Sequence, residues 1–398
     1  MGKKVAITGM GIISSIGKTV EENFAALTEG KTGISTLENL ETIHKDAIKV
    51  GEIKLTHAEL EQLLGLSSDN NYTRTALLGA YAAKQAVEAA GIQSINEFRT
   101  GLISSTSVGG MDMTERYFYE YFQNEKVRKY ITAHDAGDSS HKIAEYLGLE
   151  GFVSTISTAC SSAANAIMMG ARMIEAGKLD RVIVGGTDAL AKFTINGFKT
   201  LMILSDTYNT PFDNHRKGLN LGEAAAFLVL ESDEVVARQN KKILAYVSGF
   251  GNANDAFHQT ASSENGDGAF LAMKKALQRA HLHPSDIDYV NAHGTATPNN
   301  DLSEGRALLR VFGDTMPEFS STKAFTGHTL AAAAAIEAVY SVLALQHNVI
   351  FPNLNFTTPM EEIHLIPQTT LKNKSIHHVL SNSFGFGGNC STVIFSKN

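Results

Sequence analysis

Short apolar segments alternating with longer helical patterns hold this chain to an α/β architecture. Lys4 to Thr8 reads as a strand, Val20 to Leu27 and Thr73 to Ala89 as helices, and Gly101 to Ser105 as a central strand ending at Val108-Gly109-Gly110. Phe152 to Ser157 and Arg181 to Gly185 are strands flanking a helix, Ser161 to Ala176, that stops at Gly177. The pattern recurs on a larger scale. Leu244-Ala245-Tyr246-Val247-Ser248-Gly249-Phe250-Gly251 echoes Val5-Ala6-Ile7-Thr8-Gly9-Met10-Gly11. A strand leading into a small-residue helix occurs at Thr155 to Ala176 and again at Ser320 to Leu345. The echo predicts two similar halves, 1–240 and 241–398, the first enlarged by loops around 109–145 and 190–220.

At 398 residues the chain can bury a large core, and 43% apolar against 19% charged residues favours tightly packed layers. The formal charge of −7 and the lack of a long basic run exclude bulk nucleic-acid binding. Two cysteines, Cys160 and Cys390, provide no disulfide framework and predict a reducing, cytoplasmic setting. The start, Met1-Gly2-Lys3-Lys4 followed by a short run broken at Gly9, lacks the apolar stretch of a signal peptide. No membrane insertion is expected, and Ala331 to Ala335 reads as part of a buried helix. Gly9 and Gly11 suggest a dinucleotide turn, but Ser14 stands where the third glycine is needed, so they read as a tight turn between packed layers.

The strongest chemical signal is Thr158-Ala159-Cys160-Ser161-Ser162, set between a strand and a helix. A cysteine at a helix amino terminus meets unpaired N–H groups and a dipole that favour thiolate, and the same N–H groups can hold an oxyanion. A buried structural cysteine fits the local pattern as well. Asp288 to Asn291 is a strand running into Ala292-His293-Gly294-Thr295-Ala296-Thr297-Pro298, and ligands collect at strand carboxyl ends. His328 follows Thr326-Gly327 and opens the alanine-rich helix, where the dipole favours a neutral imidazole able to donate N–H to an enolate. Packed core histidines are the plainer alternative. Lys323 and Glu337 are charges in apolar surroundings and are expected to pair. Cys160, His293 and His328 lack the short spacing of a zinc site. In Asn382-Ser383-Phe384-Gly385-Phe386-Gly387-Gly388-Asn389 a phenylalanine flanked by glycines suggests a gate, and Cys390 reads as strand packing.

With these motifs in order, the chain resembles the elongating β-ketoacyl-[acyl-carrier-protein] synthases of the thiolase-fold superfamily over nearly its whole length. The resemblance rests on Cys160 in its Thr-Ala-Cys-Ser-Ser turn, Pro211-Phe212-Asp213 with Arg216, Gly218 and Gly222-Glu223, and Asp255 with His258. It extends through Asn291-Ala292-His293-Gly294-Thr295, Lys323 with Gly327-His328, Glu337, and Gly385-Phe386-Gly387-Gly388. It implies a five-layer α-β-α-β-α fold of duplicated halves, a homodimer, and ping-pong transfer of acyl groups carried on the phosphopantetheine of an acyl carrier protein. Cys160 would take the acyl group, with the N–H groups of Cys160 and Phe386 as oxyanion hole. His293 and His328 would stabilise the enolate from malonyl decarboxylation, organised by Lys323 and Glu337. Thr295 and Thr297 would hydrogen-bond the arm. No metal or nucleotide cofactor is implied.

Several positions depart from that pattern. Ala331 and Ala334 replace glycines usual in the family, and Ser68-Asp69-Asn70-Asn71 lacks basic residues that often grip the carrier. Docking charge is assigned instead to Lys126, Arg128, Lys129 and Lys199. Val108, Met111, Phe198, Phe384 and Phe386 are expected to bind the acyl substrate. Fatty-acid elongation and a polyene or pigment pathway both fit. So do two other arrangements, a catalytic subunit needing a chain-length partner and a thiolase-like coenzyme A acyltransferase. The thiolase reading needs a second catalytic cysteine, and Cys390 after Asn389 is in the wrong context for it.

Overall fold

The computed structural model describes residues 4–67 and 69–397. Met1 to Lys3 and Ser68, which figure in the amino-terminal and docking expectations, lie outside the described residues. The first half supplies strands β1 (Val5–Ser14), β2 (Thr100–Ser105), β3 (Phe152–Ile156), β4 (Arg181–Asp188) and β5 (Ala224–Ser232). The second supplies β6 (Ala245–Asn254), β7 (Tyr289–Asn291) and β8 (Glu318–Ser320). A two-stranded ribbon, β9 (Val349–Ile350) with β10 (Lys372–Asn373), precedes the last strands β11 (His378–Gly385) and β12 (Asn389–Ser396).

The order β3-β2-β4-β5-β1 in the first half is matched by β8-β7-β11-β12-β6 in the second. Directions match too: β2 is parallel to β3 and β4 as β7 is to β8 and β11, while β4 with β5 and β11 with β12 are antiparallel. The two halves of the sheet meet where Ala6 and Ile7 pair with Tyr246 and Ala245. Duplication is therefore written in the topology.

Both faces of β1, β2, β4 and β5 are covered, so these strands are buried along their whole length rather than on alternate residues. Along β5, Leu228 and Leu230 join the central core while Phe227 and Val229 face the outer one. The helices Ser162–Glu175 and Ala333–His347 fill the central layer. Arg74–Ala89 and Ala136–Leu147 cover the outer face of the first sheet, and Asp267–Ala280 and Pro298–Phe312 that of the second. This gives five layers. The stretch Leu330–His347 has the length and hydropathy of a membrane span, but 89% of it is buried inside the protein.

Gly9 and Gly11 lie inside β1 and make no turn, which corrects the sequence expectation. A Cβ on Gly9 would lie 2.3 Å from Ala86 O and one on Gly11 2.2 Å from Ala82 O. Gly249 and Gly251 meet Ala276 O at 2.5 Å and Ala272 O at 2.1 Å in the same way. In both halves the glycines let a helix backbone rest directly on the strand, which is the physical content of the sequence echo.

The enlarged loops differ from a simple strand–helix alternation. Met111–Tyr117 is helical and leads through short turns to Arg128–Ile131, while Lys192–Thr200 is a further helix. Phe118, Tyr119 and Phe122 stand exposed on this lobe.

Candidate active site

Cys160 stands just ahead of its helix, which begins at Ser162 after the N-cap Ser161. Ala159 takes φ 51°, a left-handed conformation that a side chain adopts only under constraint. Local hydroxyls supply that constraint: Ser162 Oγ accepts from Thr158 N at 2.8 Å and donates to Ala159 O at 2.5 Å, while Ser161 Oγ donates to Thr158 O at 2.8 Å. The serines that read as small residues are thus clasps for a sharp turn.

The turn brings Cys160 Sγ to 3.0 Å from His328 Nε2. The rings of His293 and His328 lie 5.4 Å apart and nearly perpendicular. All three residues are buried and share a cleft of about 380 Å³ with Thr295, Thr297, Phe198, Phe384 and Phe386. Lys323 and Glu337 form a buried ion pair whose lysine charge is felt by both histidines. A larger open groove of about 1390 Å³ runs beside β6, lined by Arg172, Tyr246 and Arg279, and contains neither histidine nor Cys160.

Burial, not the helix dipole, dominates the electrostatics. It pushes the Cys160 thiol up to about 12, opposed by the Lys323 charge and by the N–H groups of Phe386 and of Cys160 itself. Loss of solvation thus works against the dipole-favoured thiolate expected from the sequence, while the N–H groups behind that expectation still pull toward it. Both histidines are held well below the ordinary imidazole range, first by burial and then by Lys323, so they are neutral. For His328 neutrality was expected from the helix dipole, but a short turn, Leu330–Ala332, separates it from the long helix. Glu337 is pushed up to about 7 by burial against the pull of Lys323.

Two N–H groups, of Cys160 and Phe386, therefore converge on the sulfur, and two uncharged imidazoles flank it. Such a set can store an acyl group, hold a tetrahedral oxyanion and donate hydrogen bonds to an enolate. Phe386 stacks on Phe198 with ring centroids 5.8 Å apart. Its loop is pinned, with Gly387 N donating to Gln259 O at 2.7 Å and Asn254 Nδ2 to Gly387 O at 2.9 Å. Thr295 and Thr297 hydroxyls lie 2.9 Å apart in the cleft wall, where Arg216 donates to Pro298 O at 2.6 Å. Asp255, also in the cleft lining, fixes the adjoining segment by accepting from Ser263 N and Gly268 N.

Other expectations are redistributed. Val108 packs with Leu190 and Phe198 in an apolar cluster behind the cleft, and neither Val108 nor Met111 lines the cleft itself. Cys390 lies in β12 as read but also reaches the cleft wall, where burial raises its thiol to about 12. Of the docking cations, Arg128 pairs with Glu125 at 3.0 Å and Lys129 with Asp69 at 2.6 Å, whereas Lys126 and Lys199 are exposed. Among the described residues no group of three or more His, Cys, Asp or Glu side chains is placed to hold a metal ion.

Two acids escaped the sequence reading. Glu304 accepts from His293 N at 2.9 Å and Gly294 N at 2.8 Å, fixing the histidine's backbone. Asp301 accepts from Phe212 N at 2.7 Å and from Ala296 N at 3.1 Å, where Ala296 has φ 67°. The available signal was a pair of acids in the early turns of the helix immediately after the histidine strand.

Comparison with known proteins agrees. Residues 2–235 match the Beta-ketoacyl synthase, N-terminal domain, and 244–357 the Beta-ketoacyl synthase, C-terminal domain. The 3-oxoacyl-[acyl-carrier-protein] synthase 2 of Vibrio cholerae is 32% identical, with 99% of each chain covered. The structure described as the ishigamide ketosynthase/chain length factor superposes with a TM-score of 0.94 at 29% identity, covering all of both chains. A type II ketosynthase solved with its acyl-carrier protein gives 0.90 at 26%, again over the full length of both. The chain belongs to the β-ketoacyl synthase family: it is a thiolase-fold condensing enzyme of 3-oxoacyl-[acyl-carrier-protein] synthase chemistry, acting in fatty-acid or polyketide-type chain elongation.

Proposed function

We propose the following division of labour. Cys160, in the half 1–240, takes an acyl group from the arm of an acyl carrier protein, and its thiol proton leaves on the released arm thiol. Malonyl-carrier protein then enters beside Thr295 and Thr297. His293 and His328, in the half 241–398, donate N–H to its thioester oxygen as the C–C bond to the carboxylate breaks, CO2 leaves and the electron pair becomes an enolate. The carbanion attacks the acyl-cysteine carbon. The resulting oxyanion rests on the N–H groups of Cys160 and Phe386, and collapse releases the 3-oxoacyl-carrier protein as the sulfur regains one proton. The 3.0 Å approach of His328 Nε2 to Cys160 Sγ inside one cleft carries this reading. Mass analysis of Cys160 after incubation with acyl-carrier proteins tests it and reports chain length and unsaturation together. Failure of every thioester to acylate Cys160 contradicts it.

Assembly follows from the sheet. β3 is an edge strand with its backbone unpaired on one side, a natural site for a second subunit. A homodimer is the simplest occupant. Pairing with a chain-length partner is the second reading, favoured by the full-length similarity to a ketosynthase/chain length factor. Mass measurement of the chain purified alone, then with a candidate partner, separates the two. The exposure of Lys199 and Lys126, which form no ion pair among the described residues, supports docking of the carrier protein there. A cytoplasmic setting is supported by the two free cysteines and the bacterial relatives.

A further inference from the structure

The end of β4 touches the short turn, Leu330–Ala332, that follows His328 in the second half. Gly186 makes the approach close: a Cβ there would lie 2.4 Å from Ser105 Oγ, 3.0 Å from Ala331 O and 3.2 Å from Ala163 Cβ. Two residues on, Asp188 is completely buried. Its Oδ1 accepts from Thr106 Oγ1 at 2.5 Å, Ser107 N at 3.0 Å and Val108 N at 3.1 Å. Its Oδ2 accepts from Ser107 Oγ at 2.6 Å, Ser107 N at 3.2 Å and Ala331 N at 2.8 Å. Every donor but the last belongs to the turn that carries Val108. The last lies three residues beyond His328, next to Leu330, whose φ is 55°.

We propose that Asp188 is a positioning residue for both halves of the reaction, one carboxylate fixing the Val108 turn behind the acyl cleft and the backbone that follows His328. The inference rests on the roles assigned above to Cys160 and His328. A neutral side chain cannot replace the carboxylate, because all its neighbours are donors. An amide would turn an N–H₂ toward Ala331 N–H or toward the turn and leave at least one buried donor unpaired. Strain would then pass to whichever side yields. Asp188 also faces Cys160 electrostatically, its charge opposing thiolate formation, while Lys323 favours it.

The test uses Asp188→Asn and the near-isosteric Thr106→Val, each compared with wild type for melting temperature, acyl transfer to Cys160 and CO2 release from malonyl-carrier protein. Asp188→Asn is expected to lower both half-reactions by about tenfold per folded molecule and to move the alkylation profile of Cys160 to lower pH, a shift that a purely structural role would not produce. Thr106→Val, which leaves the Ala331 contact in place, is expected to raise KM for acyl transfer severalfold with CO2 release within about twofold of wild type. If Asp188→Asn folds and keeps both rates and the same alkylation profile, the proposal is overturned. If Asp188→Asn does not fold, Thr106→Val decides: equal loss in both half-reactions, or loss in neither, overturns it. Absence of acyl transfer in wild type would contradict the role of Cys160, and absence of CO2 release that of His328, instead of the role of Asp188.

Discussion

His328 Nε2 stands 3.0 Å from Cys160 Sγ, yet that sulfur is a thiol at rest, its ionisation raised to about 12 by burial. Since the thiolate is the reactive form, alkylation of Cys160 by iodoacetamide is expected to climb about tenfold per pH unit from about pH 7 to about pH 10 without levelling off. Peptide mass analysis separates Cys160 from Cys390. A plateau below about pH 8 would restore the dipole-stabilised thiolate.

Lys323 helps hold both imidazoles neutral, so Lys323→Met is expected to raise their ionisation values. Neutral histidine is the working form. Activity lost on acidification is therefore lost at higher pH in the variant, and the acid limb of CO2 release moves upward. Removing one partner of a buried ion pair costs about 3–5 kcal/mol, and Glu337→Gln added to the variant recovers part of it without moving the limb back. An unmoved acid limb in Lys323→Met contradicts the electrostatic role.

The duplicated sheets were legible because small residues recur where a helix backbone must touch a strand, at Gly9 and Gly11 and again at Gly249 and Gly251. Cys160 and His328 were legible as residues at turns beside helices. What failed was the inference from local to global. The dipole argument for Cys160 used only its own helix, whereas its desolvation comes from layers contributed by both halves. Asp188 was invisible for the same reason, its donors lying 81 and 143 residues away in the chain, whereas Glu304 and Asp301 left only the weak signal of two acids early in the helix after His293.

A Cβ at Gly385 would lie 2.9 Å from Cys160 N and 3.0 Å from Thr158 O, both backbone atoms that cannot swing away. Gly385→Ala is expected to displace the N–H groups of the oxyanion hole and cut acyl transfer by about a hundredfold. CO2 release, which depends on the histidines, is expected to fall less. Loss of both to the same extent, measured with labelled acyl and labelled malonyl substrates, would detach the loop from the oxyanion assignment.

Lys199 is exposed beside Phe198 in the cleft wall, while Arg128 and Lys129 are engaged with Glu125 and Asp69. Charge reversal in Lys199→Glu is expected to raise KM for an acyl-carrier protein by about tenfold, and more at low salt. Arg128→Ala with Lys129→Ala is expected to change it by less than about twofold. A small pantetheine thioester, which makes no surface contact, reports whether the cleft is intact. Equal losses on both substrates would remove Lys199 from the docking surface.

The division between acyl storage and enolate formation is tested most directly in Cys160→Ala. That variant lacks the sulfur but keeps His293, His328, Lys323 and the cleft. Labelled malonyl-carrier protein is expected to release labelled CO2 and yield acetyl-carrier protein, as the enolate takes a proton in place of an acyl carbon, while 3-oxoacyl product falls to background. His328→Ala, measured alongside, is expected to lose about a hundredfold in CO2 release, roughly 3 kcal/mol for one oxyanion donor. Condensation surviving in Cys160→Ala, or full-rate CO2 release in His328→Ala, would contradict the account.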